Sequence, residues 1–407
     1  MSREPGPWPL DPAVTFLNHG SFGSCPRPVL DAQRAWRDQM ESEPITFFDR
    51  DLPSLLADAR APVAAFLVAD PDDLVFVPNA TTAVSTVLGS LRFEPGDELL
   101  TTDHEYNATL NALRRTAARD GASVVVARIP FPISDPGEAL EAIVRAVTRR
   151  TRLALVSHIT SPTALVLPIA AIVSELDRRG VDTLVDAAHA PGMVPIDLRS
   201  LGAAYWTGNA HKWLCAPKGA AVLHVRSDRR AMIRPLVVSH GANDPRVERG
   251  AYRNEFEWLG TSDPTAYLSV PAAIDFVASL DPEGWSGVMR RNADLARLAR
   301  DVLCACLGVA LPAPDSMLGA MAAVPLPGPT PSREVALDLR DRLLDEYDIE
   351  VAVVPWPVPA ALESAASPRA LVVRVSAQLY NTLADYERLG EALAERPLGE
   401  ELARAEG

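Results

Sequence analysis

The sequence predicts an α/β fold in which a large domain holds a mostly parallel, seven-stranded sheet and a smaller α+β C-terminal domain follows. Two observations support this class. Between residues 70 and 225, seven short apolar runs alternate with amphipathic stretches, the pattern of parallel strands joined by helices. Beyond residue 281, helical stretches are mixed with a few strand-like runs, which is typical of a compact α+β unit.

The apolar runs are the predicted strands of the large domain. They are LVFV (74–77), ELLTTD (98–103), SVVVARI (123–129), LALVSHI (153–159), TLVDA (183–187), AAYWTG (203–208) and AAVLHV (220–225). The stretches between them have helical spacing of apolar residues and predict helices. They include 107–119, 137–148 and 168–179.

The C-terminal part predicts helices at 285–306, 333–346 and about 382–395, with strands at 317–326, 349–355 and 371–376. These elements suit a smaller domain packed on the first. We therefore expect three units along the chain. They are an N-terminal segment (1–30), rich in Pro and Gly, that crosses to the small domain, a large domain (31–280) and a small C-terminal domain (281–407).

The composition limits the classes of function. A net charge of −14 argues against nucleic acid or an anionic membrane surface as a partner. No run of 18 apolar residues predicts a membrane span, and the N-terminus lacks the pattern of a signal peptide, so we expect a cytoplasmic protein. The four cysteines, Cys25, Cys215, Cys304 and Cys306, lack metal-ligand spacing, and no metal site is expected.

Polar side chains follow several of the predicted strands at the point where each strand ends. Ligands of such sheets bind beyond the carboxyl ends of the strands, so these side chains are candidates for one shared site. They are Asn79, His104, Tyr106, Ser161, Asp186 and His189.

Two of the candidate residues fit one cofactor chemistry. Asp186 follows the apolar run 183–185, and Lys212 lies about 25 residues further along. An aspartate is rarely buried without a partner, and here it can pair with the ring nitrogen of pyridoxal phosphate (PLP) and keep it protonated. A lysine can form a Schiff base with the aldehyde of PLP and later carry protons. The pair predicts PLP as the cofactor.

Several motifs also resemble those of a known family. TGNAHKWLCAPKG (207–219), which contains Lys212, and RVSAQLYNT (374–382) are similar to the lysine and C-terminal arginine motifs of class V aminotransferases. Within that family of fold-type I PLP enzymes, the chain resembles the isopenicillin N epimerase-like and cysteine desulfhydrase-like branch. The resemblance spans about residues 14–395 and implies the fold-type I architecture, PLP and an amino-acid substrate.

The resemblance also implies how PLP is bound. A helix start in NATTAVSTVLGSL (79–91) would hold the phosphate, because backbone amides and the helix dipole favour negative charge there. A side chain that follows the run 98–103 would stack on the ring, and either Tyr106 or His104 can do this, depending on the register. Ser161 would hydrogen-bond the phenolic oxygen of the ring, His189 would lie along the same ring edge as Asp186, and His211 would lie next to Lys212. The cofactor-binding set is Ala80, Thr81, Thr82, Tyr106, His104, Ser161, Asp186, His189, Asn209 and Lys212, and His211 joins Lys212 and Tyr106 as a catalytic candidate.

Substrate binding is expected to involve Arg374, since the planar guanidinium binds a carboxylate at two points. Asn18 and Gly20 in LNHGSFG (17–23) match a motif that covers the active site, and Arg50 is a candidate for a second carboxylate. Thr261 in WLGTSDPTAYLSVPAAI (258–274) resembles a residue that reaches the phosphate of a partner subunit. The resemblance therefore implies a homodimer with active sites at the interface.

The sequence leaves the reaction open. The leading hypothesis is epimerisation at the α-carbon of an amino acid, and the first alternative is β-elimination at a C–S bond. Transamination comes next, followed by a PLP-binding protein without activity. The stretch 351–374 has no cysteine, which disfavours the persulfide relay of related desulfurases. Substrate selectivity is expected to depend on the loops 41–53, 240–257 and 355–368.

Overall fold

The computed structural model describes residues 6–244, 250–328, 333–357 and 370–395. Parts of the loops 240–257 and 355–368 lie outside these ranges. Among the described residues, no helix has both the length and the hydrophobicity needed to cross a membrane.

A seven-stranded sheet forms the centre of the molecule, as the sequence predicts. Its strands are β2 (Leu74–Val77), β3 (Glu98–Thr102), β4 (Ser123–Ala127), β5 (Thr151–Ser157), β6 (Asp182–Asp186), β7 (Tyr205–Asn209) and β8 (Ala221–Val225). The spatial order is β2-β8-β7-β6-β5-β3-β4. Only β8 runs against its neighbours, pairing antiparallel with both β2 and β7, so the carboxyl ends of the other six strands meet at one edge.

The strands form where apolar residues are continuous, because both faces of the sheet are covered. Alternate residues of one strand enter different cores. Leu100 and Val156 pack in the core on one face, whereas Leu99 and Leu155 pack in the core on the other. This period of two follows from strand geometry.

Helices cover the sheet and form a layer beside it. They are α1 (His19–Phe22), α2 (Arg27–Ser42), α3 (Leu52–Phe66), α4 (Ala80–Ser90), α5 (Asn107–Asp120), α6 (Pro136–Ala146), α7 (Ile169–Arg178), α8 (Leu198–Leu201), α9 (Gly250–Glu257), α10 (Thr265–Leu268) and α11 (Val270–Ala278). A π-helical turn, Thr46–Asp51, leads directly into α3.

The C-terminal part contains the long helix α12 (Trp285–Leu307) and a separate antiparallel sheet. The remaining elements are β9 (Met321–Leu326), α13 (Arg333–Tyr347), β10 (Ile349–Glu350), β11 (Ala352–Trp356), β12 (Ala370–Ser376) and α14 (Leu383–Glu395). The sheet order is β11-β12-β9. The strand predicted at 317–326 begins only at Met321, because Asp315–Met317 forms a 3₁₀ turn.

The N-terminal segment connects these parts. Its short strand β1 (Thr15–Phe16) pairs in parallel with β10, and Leu17 is fully buried in the C-terminal core. Beyond α1, Gly23 approaches the backbone of Lys212. The segment thus runs from β10, with which β1 forms a separate two-stranded sheet, to the edge where the central strands end.

Candidate active site

A cleft opens at the carboxyl edge of the central sheet, where the sequence places its candidates. The cavity volume is about 270 Å³. Nine of the predicted site residues line it. They are Ala80, Thr81, Tyr106, Ser161, Asp186, His189, Asn209, His211 and Lys212.

Lys212 lies in the turn after β7, with its Nζ 3.2 Å from His189 Nε2. Burial, and then the charge of Arg374, lowers the pKa of Lys212 to about 7, while Asp186 opposes the change. A large fraction of the amine is therefore neutral near pH 7. A neutral amine is both a nucleophile and a base.

The contacts of His189 agree with a neutral lysine. Trp213 Nε1–H donates to His189 Nδ1 at 3.4 Å, so the ring proton is on Nε2, facing Lys212. Burial, followed by the charges of Lys212 and Arg374, lowers the pKa of His189 well below its usual range. The imidazole can then donate to the lysine amine.

Asp186 is the last residue of β6 and is buried. Its Oδ1 accepts the Ala188 N–H at 3.1 Å. Burial raises the pKa of Asp186, while the Ala188 hydrogen bond and the Lys212 charge act in the opposite direction. A cationic partner in the cleft would stabilise the ionised carboxylate.

Glu105 is a second buried carboxyl close to Asp186. Its Oε1 accepts hydrogen bonds from Ser157 Oγ at 2.7 Å, from Thr109 Oγ1 at 3.3 Å and from the Tyr106 N–H at 3.2 Å. Burial, and then the charge of Asp186, raises the pKa of Glu105. Two like charges in one buried site are unfavourable, so burial and the nearby Asp186 both favour the protonated form of Glu105.

The start of α4 has the form of an anion site. Asn79 caps the helix, accepting the Thr82 N–H at 2.8 Å and the Thr82 hydroxyl at 3.1 Å. Asn209 Oδ1 accepts the Ala80 N–H at 2.9 Å across the sheet edge. Thr81 is exposed to the cleft, and its hydroxyl has no hydrogen bond to any part of the chain that the structure describes. Of the predicted phosphate residues, Thr81 is thus the freest to meet a ligand.

The structure separates the two candidates for ring stacking. Tyr106 lies just before α5, is 47% exposed and lines the cleft. His104 is fully buried outside the cleft, with its Nδ1 2.7 Å from Thr163 Oγ1 and its Nε2 3.0 Å from the Ile129 carbonyl. Its ring packs on Trp356, with centroids 4.3 Å apart. The placement of His104 in the cofactor-binding set is therefore wrong, because its ring is used inside the core.

Arg374 is buried on β12 and reaches the cleft through two serines. Its Nη1 donates to the Ser161 carbonyl at 2.7 Å and to Ser161 Oγ at 3.2 Å, and its Nη2 donates to Ser21 Oγ at 2.8 Å. Nε has no hydrogen-bond partner. No carboxylate of the described residues pairs with Arg374, and burial lowers its pKa to about 10. A buried cation without a counter-ion is a suitable receptor for a substrate carboxylate.

Two predicted substrate residues support the cleft without lining it. Asn18 Nδ2 donates to Glu350 Oε1 at 3.2 Å, and its Oδ1 accepts the Ser21 hydroxyl at 2.6 Å. Gly20 N–H donates to Ser376 Oγ at 3.0 Å, and a Cβ there would lie 2.5 Å from Met321 Sδ. From this motif, Ser21 and Phe22 line the cleft instead. The prediction that Asn18 and Gly20 contact substrate is therefore corrected, because both are used in packing.

Arg50 and Thr261 are both exposed and do not line the cleft. Arg50 lies in the π-helical turn before α3. Near this turn, a second cavity of about 310 Å³ includes Phe48, His240 and Trp258 in its lining. Neither Arg50 nor Thr261 contributes to the site of its own subunit, so a role for them requires a partner subunit.

Sequence reasoning missed His19 and Ser21, and it did not anticipate the role of Ser157. His19 is fully buried, with its Nε2 3.1 Å from the Lys212 carbonyl. A signal was present, since the motif HGSFG places a histidine and a serine beside a glycine that is closely packed. Their partners lie about 200 to 350 residues away in sequence, so spacing alone could not identify the roles.

The model of the class V aminotransferase family matches residues 24–389. The chain belongs to the class V aminotransferase family. It is 39% identical to an isopenicillin N epimerase of Amycolatopsis lactamdurans over 400 residues, covering 95% of this chain and 96% of the relative. It is 34% identical to a putative L-cysteine desulfhydrase 2 of Oryza sativa subsp. japonica over 414 residues, covering 94% and 85% of the two chains.

Solved structures share the fold. The cysteine desulfurase CsdA from Escherichia coli matches with a TM-score of 0.78 at 20% identity, covering 96% of each chain. A variant of the enzyme C-DES with glycine covalently linked to PLP matches with a TM-score of 0.76 at 21% identity, covering 94% of this chain and 96% of the other. The fold-type I architecture expected from the sequence is confirmed, and this class V family member is a PLP-dependent enzyme.

The residues in the cleft fit PLP. A nucleophilic amine, a buried carboxylate and the start of a helix converge on one cavity, and these groups match the aldehyde, the ring nitrogen and the phosphate. Asp186 lies on β6, next to β7, which precedes Lys212. Lys212, Asp186 and Thr81 are therefore the residues of this cleft that could hold the cofactor.

Proposed function

We propose that the protein is an epimerase-like enzyme that inverts the α-carbon of an amino acid. The observation that carries this proposal is the placement of Lys212 and Tyr106 on two sides of Asp186. Lys212 follows β7 and Tyr106 follows β3, with β6 and β5 between them. Three strand spacings separate the two positions by about 14 Å, which leaves room for a flat ring and a substrate between them.

Inversion needs proton removal on one face of the α-carbon and proton delivery on the other. Bound PLP supplies the electron withdrawal that makes this proton acidic. Lys212, with its lowered pKa, acts as the base on one face. The Tyr106 hydroxyl acts on the other face, and Arg374 holds the carboxylate so that the α-carbon stays in place.

The relatives that support this proposal are epimerases by name. The chain is 39% identical to the isopenicillin N epimerase of Amycolatopsis lactamdurans and 36% identical to that of Streptomyces clavuligerus. The cleft also lacks a cysteine among the described residues, with Cys25 and Cys215 buried behind it. A persulfide relay through the enzyme would need an exposed thiolate.

The test is turnover of L- and D-amino acids by the PLP-loaded enzyme in D₂O. We expect deuterium at the α-carbon of both enantiomers, detected by NMR and chiral chromatography, without release of a 2-keto acid. Lys212→Ala should abolish exchange. Tyr106→Phe should slow inversion more than exchange into the starting enantiomer, and equal slowing of both would exclude Tyr106 as the second proton-transfer group.

C–S bond β-elimination is the second candidate, since the chain is also 34% identical to a putative L-cysteine desulfhydrase. In that reaction Lys212 removes the same proton, and His189 or Tyr106 protonates the departing sulfur. Release of sulfide and a 2-keto acid from cysteine would support this function and contradict epimerisation. Accumulation of the pyridoxamine form of the cofactor would instead indicate transamination.

We also propose that the enzyme is a homodimer, because exposed Thr261 and Arg50 have no role in the cleft of their own subunit. In a dimer, Thr261 would bind the phosphate of the partner's cofactor. Light scattering gives the mass in solution. Thr261→Ala should weaken PLP binding without separating the subunits, and a monomeric holoenzyme would refute the assignment.

A further inference from the structure

The short helix α1 contacts both ends of the proposed reaction site, although only Ser21 and Phe22 of this helix line the cleft. His19 lies 3.1 Å from the Lys212 carbonyl through its Nε2. Two residues later, Ser21 Oγ accepts the Arg374 Nη2 hydrogen bond at 2.8 Å. One helical turn therefore contacts both Lys212, the proposed base, and Arg374, which is proposed to bind the carboxylate.

The contacts of His19 determine its tautomer. The Ser24 N–H points to His19 Nδ1 at 3.3 Å, and an amide nitrogen can only donate. Nδ1 is therefore the acceptor, also facing Tyr380 Oη at 2.9 Å, and Nε2 carries the proton. Nε2–H then donates to the Lys212 carbonyl, which can only accept. Burial lowers the pKa of His19 to about 3, which keeps this arrangement neutral.

The backbone beside Lys212 is held from two directions. Its carbonyl also accepts the Cys215 N–H at 3.0 Å. Gly23 has a φ of 61°, and a Cβ there would lie 2.9 Å from the His211 carbonyl and 3.2 Å from Lys212 Cα. This close approach leaves the segment no room to move towards the lysine. The N-terminal segment thus fixes the main chain that carries the amine.

The other end of the helix fixes Arg374. Ser21 donates its own hydroxyl hydrogen to Asn18 Oδ1 at 2.6 Å, which leaves its lone pairs for the guanidinium. Asn18 is in turn tied to Glu350 of β10. Ser21 is therefore oriented as an acceptor before any substrate arrives.

We infer that His19 and Ser21 are positioning residues that set the distance between the Lys212 amine and the Arg374 guanidinium. An amino acid bound by its carboxylate must present its α-hydrogen to the amine, and misplacement of about 1 Å can cost on the order of 100-fold in rate. The helix α1 sets this distance, since His19 contacts the backbone of Lys212 and Ser21 contacts the guanidinium of Arg374. The inference rests on the proposed function, because the distance between the Lys212 amine and the Arg374 guanidinium affects the rate only if both groups act on one substrate.

The first test compares His19→Gln with His19→Asn in the holoenzyme, and His224→Gln on β8 is the matched buried-histidine control. The glutamine amide reaches the position of Nε2 and can still donate to the Lys212 carbonyl, whereas the asparagine amide stops at the position of Nδ1. The readout is the pH midpoint of the cofactor absorbance, which reports protonation at Lys212 Nζ. Arg374 and Asp186, which act on Lys212, and Lys218, which acts on His19, are unchanged in these variants.

We expect the pH midpoint to stay at the wild-type value in His19→Gln and His224→Gln and to move in His19→Asn. With a substrate, kcat should fall by about 10- to 100-fold in His19→Asn and recover in His19→Gln. If the pH midpoint and kcat change equally in both His19 variants, or stay at the wild-type values in both, the role assigned to His19 is overturned.

The second test concerns Ser21. Ser21→Ala removes the acceptor for Arg374 and should raise KM by about 10-fold and lower kcat by about 10-fold, whereas Ser21→Thr should retain most of both. Unchanged kcat in Ser21→Ala would overturn the positioning role of Ser21. Should no amino acid turn over, the proposed function fails, yet the absorbance titration of the His19 variants still decides the positioning of Lys212.

Discussion

The buried amine of Lys212 should cost the apoprotein stability, and this cost can be measured. Its pKa falls from a usual 10.5 to about 7. One pKa unit corresponds to about 1.4 kcal/mol, so the penalty has an upper limit of about 5 kcal/mol. Lys212→Met keeps the volume of the side chain and removes the charge. We expect the apoprotein variant to be more stable by about 2 to 4 kcal/mol at pH 7, because the hydrogen bond to His189 is also lost.

The pH dependence has a definite sign. Between pH 7 and 10.5 the unfolded chain binds the lysine proton and the folded chain does not, so the wild-type apoprotein gains stability as the pH rises through this window. The variant lacks this contribution, and the difference between the two proteins should shrink towards pH 10.5. Urea unfolding of both apoproteins at pH 7 and pH 9, followed by circular dichroism, measures it.

Lys218→Met is the control for this experiment. Burial also lowers the pKa of Lys218, but this side chain is more exposed and donates to the Gly23 carbonyl, so Lys218→Met should stabilise the apoprotein less than Lys212→Met. A Lys212→Met apoprotein that is no more stable than wild type at pH 7, or a difference that does not change with pH, would refute the reasoning.

Three further outcomes are expected. Asp186→Asn keeps the Ala188 hydrogen bond but removes the charge, and kcat should fall by on the order of 100-fold or more while absorbance shows PLP still bound. Arg374→Gln should raise KM by about 100-fold. It should also raise the pH at which activity increases, because a cation that lowers the pKa of Lys212 is gone. Asn79→Ala should lower the free energy of unfolding by about 1 kcal/mol and weaken PLP affinity, as thermal unfolding and cofactor titration would show.

The central strands could be predicted because burial on both faces produces continuous apolar runs. The run 153–159, for example, corresponds to β5 at Thr151–Ser157. The direction of β8 could not be predicted, since it depends on the path of the connection and not on composition. The segment between β7 and β8 reverses the chain tightly, with both the Ala210 and the His211 amides bonded to the Ala220 carbonyl, and Lys212 sits inside that reversal.

The site was predictable where chemistry restricts the residue type. Asp186 and Lys212 are the groups that PLP requires, and the structure places both in one cleft. The choice between Tyr106 and His104 depended on a register of two residues, and the structure places Tyr106 in the cleft and packs His104 against Trp356. The link from His19 to Lys212 depends on contacts between distant segments, which no local pattern encodes.

The position of β8 has a consequence for biosynthesis. β2, which leads into α4, joins the rest of the sheet only through β8, and β8 is the last of the seven strands to leave the ribosome. Until then, β2 has no partner in the sheet, so the Asn209–Ala80 hydrogen bond would lack the sheet that aligns its two ends. Such long-range pairing slows folding, so we expect capture of PLP to report completion of the central sheet rather than to initiate it.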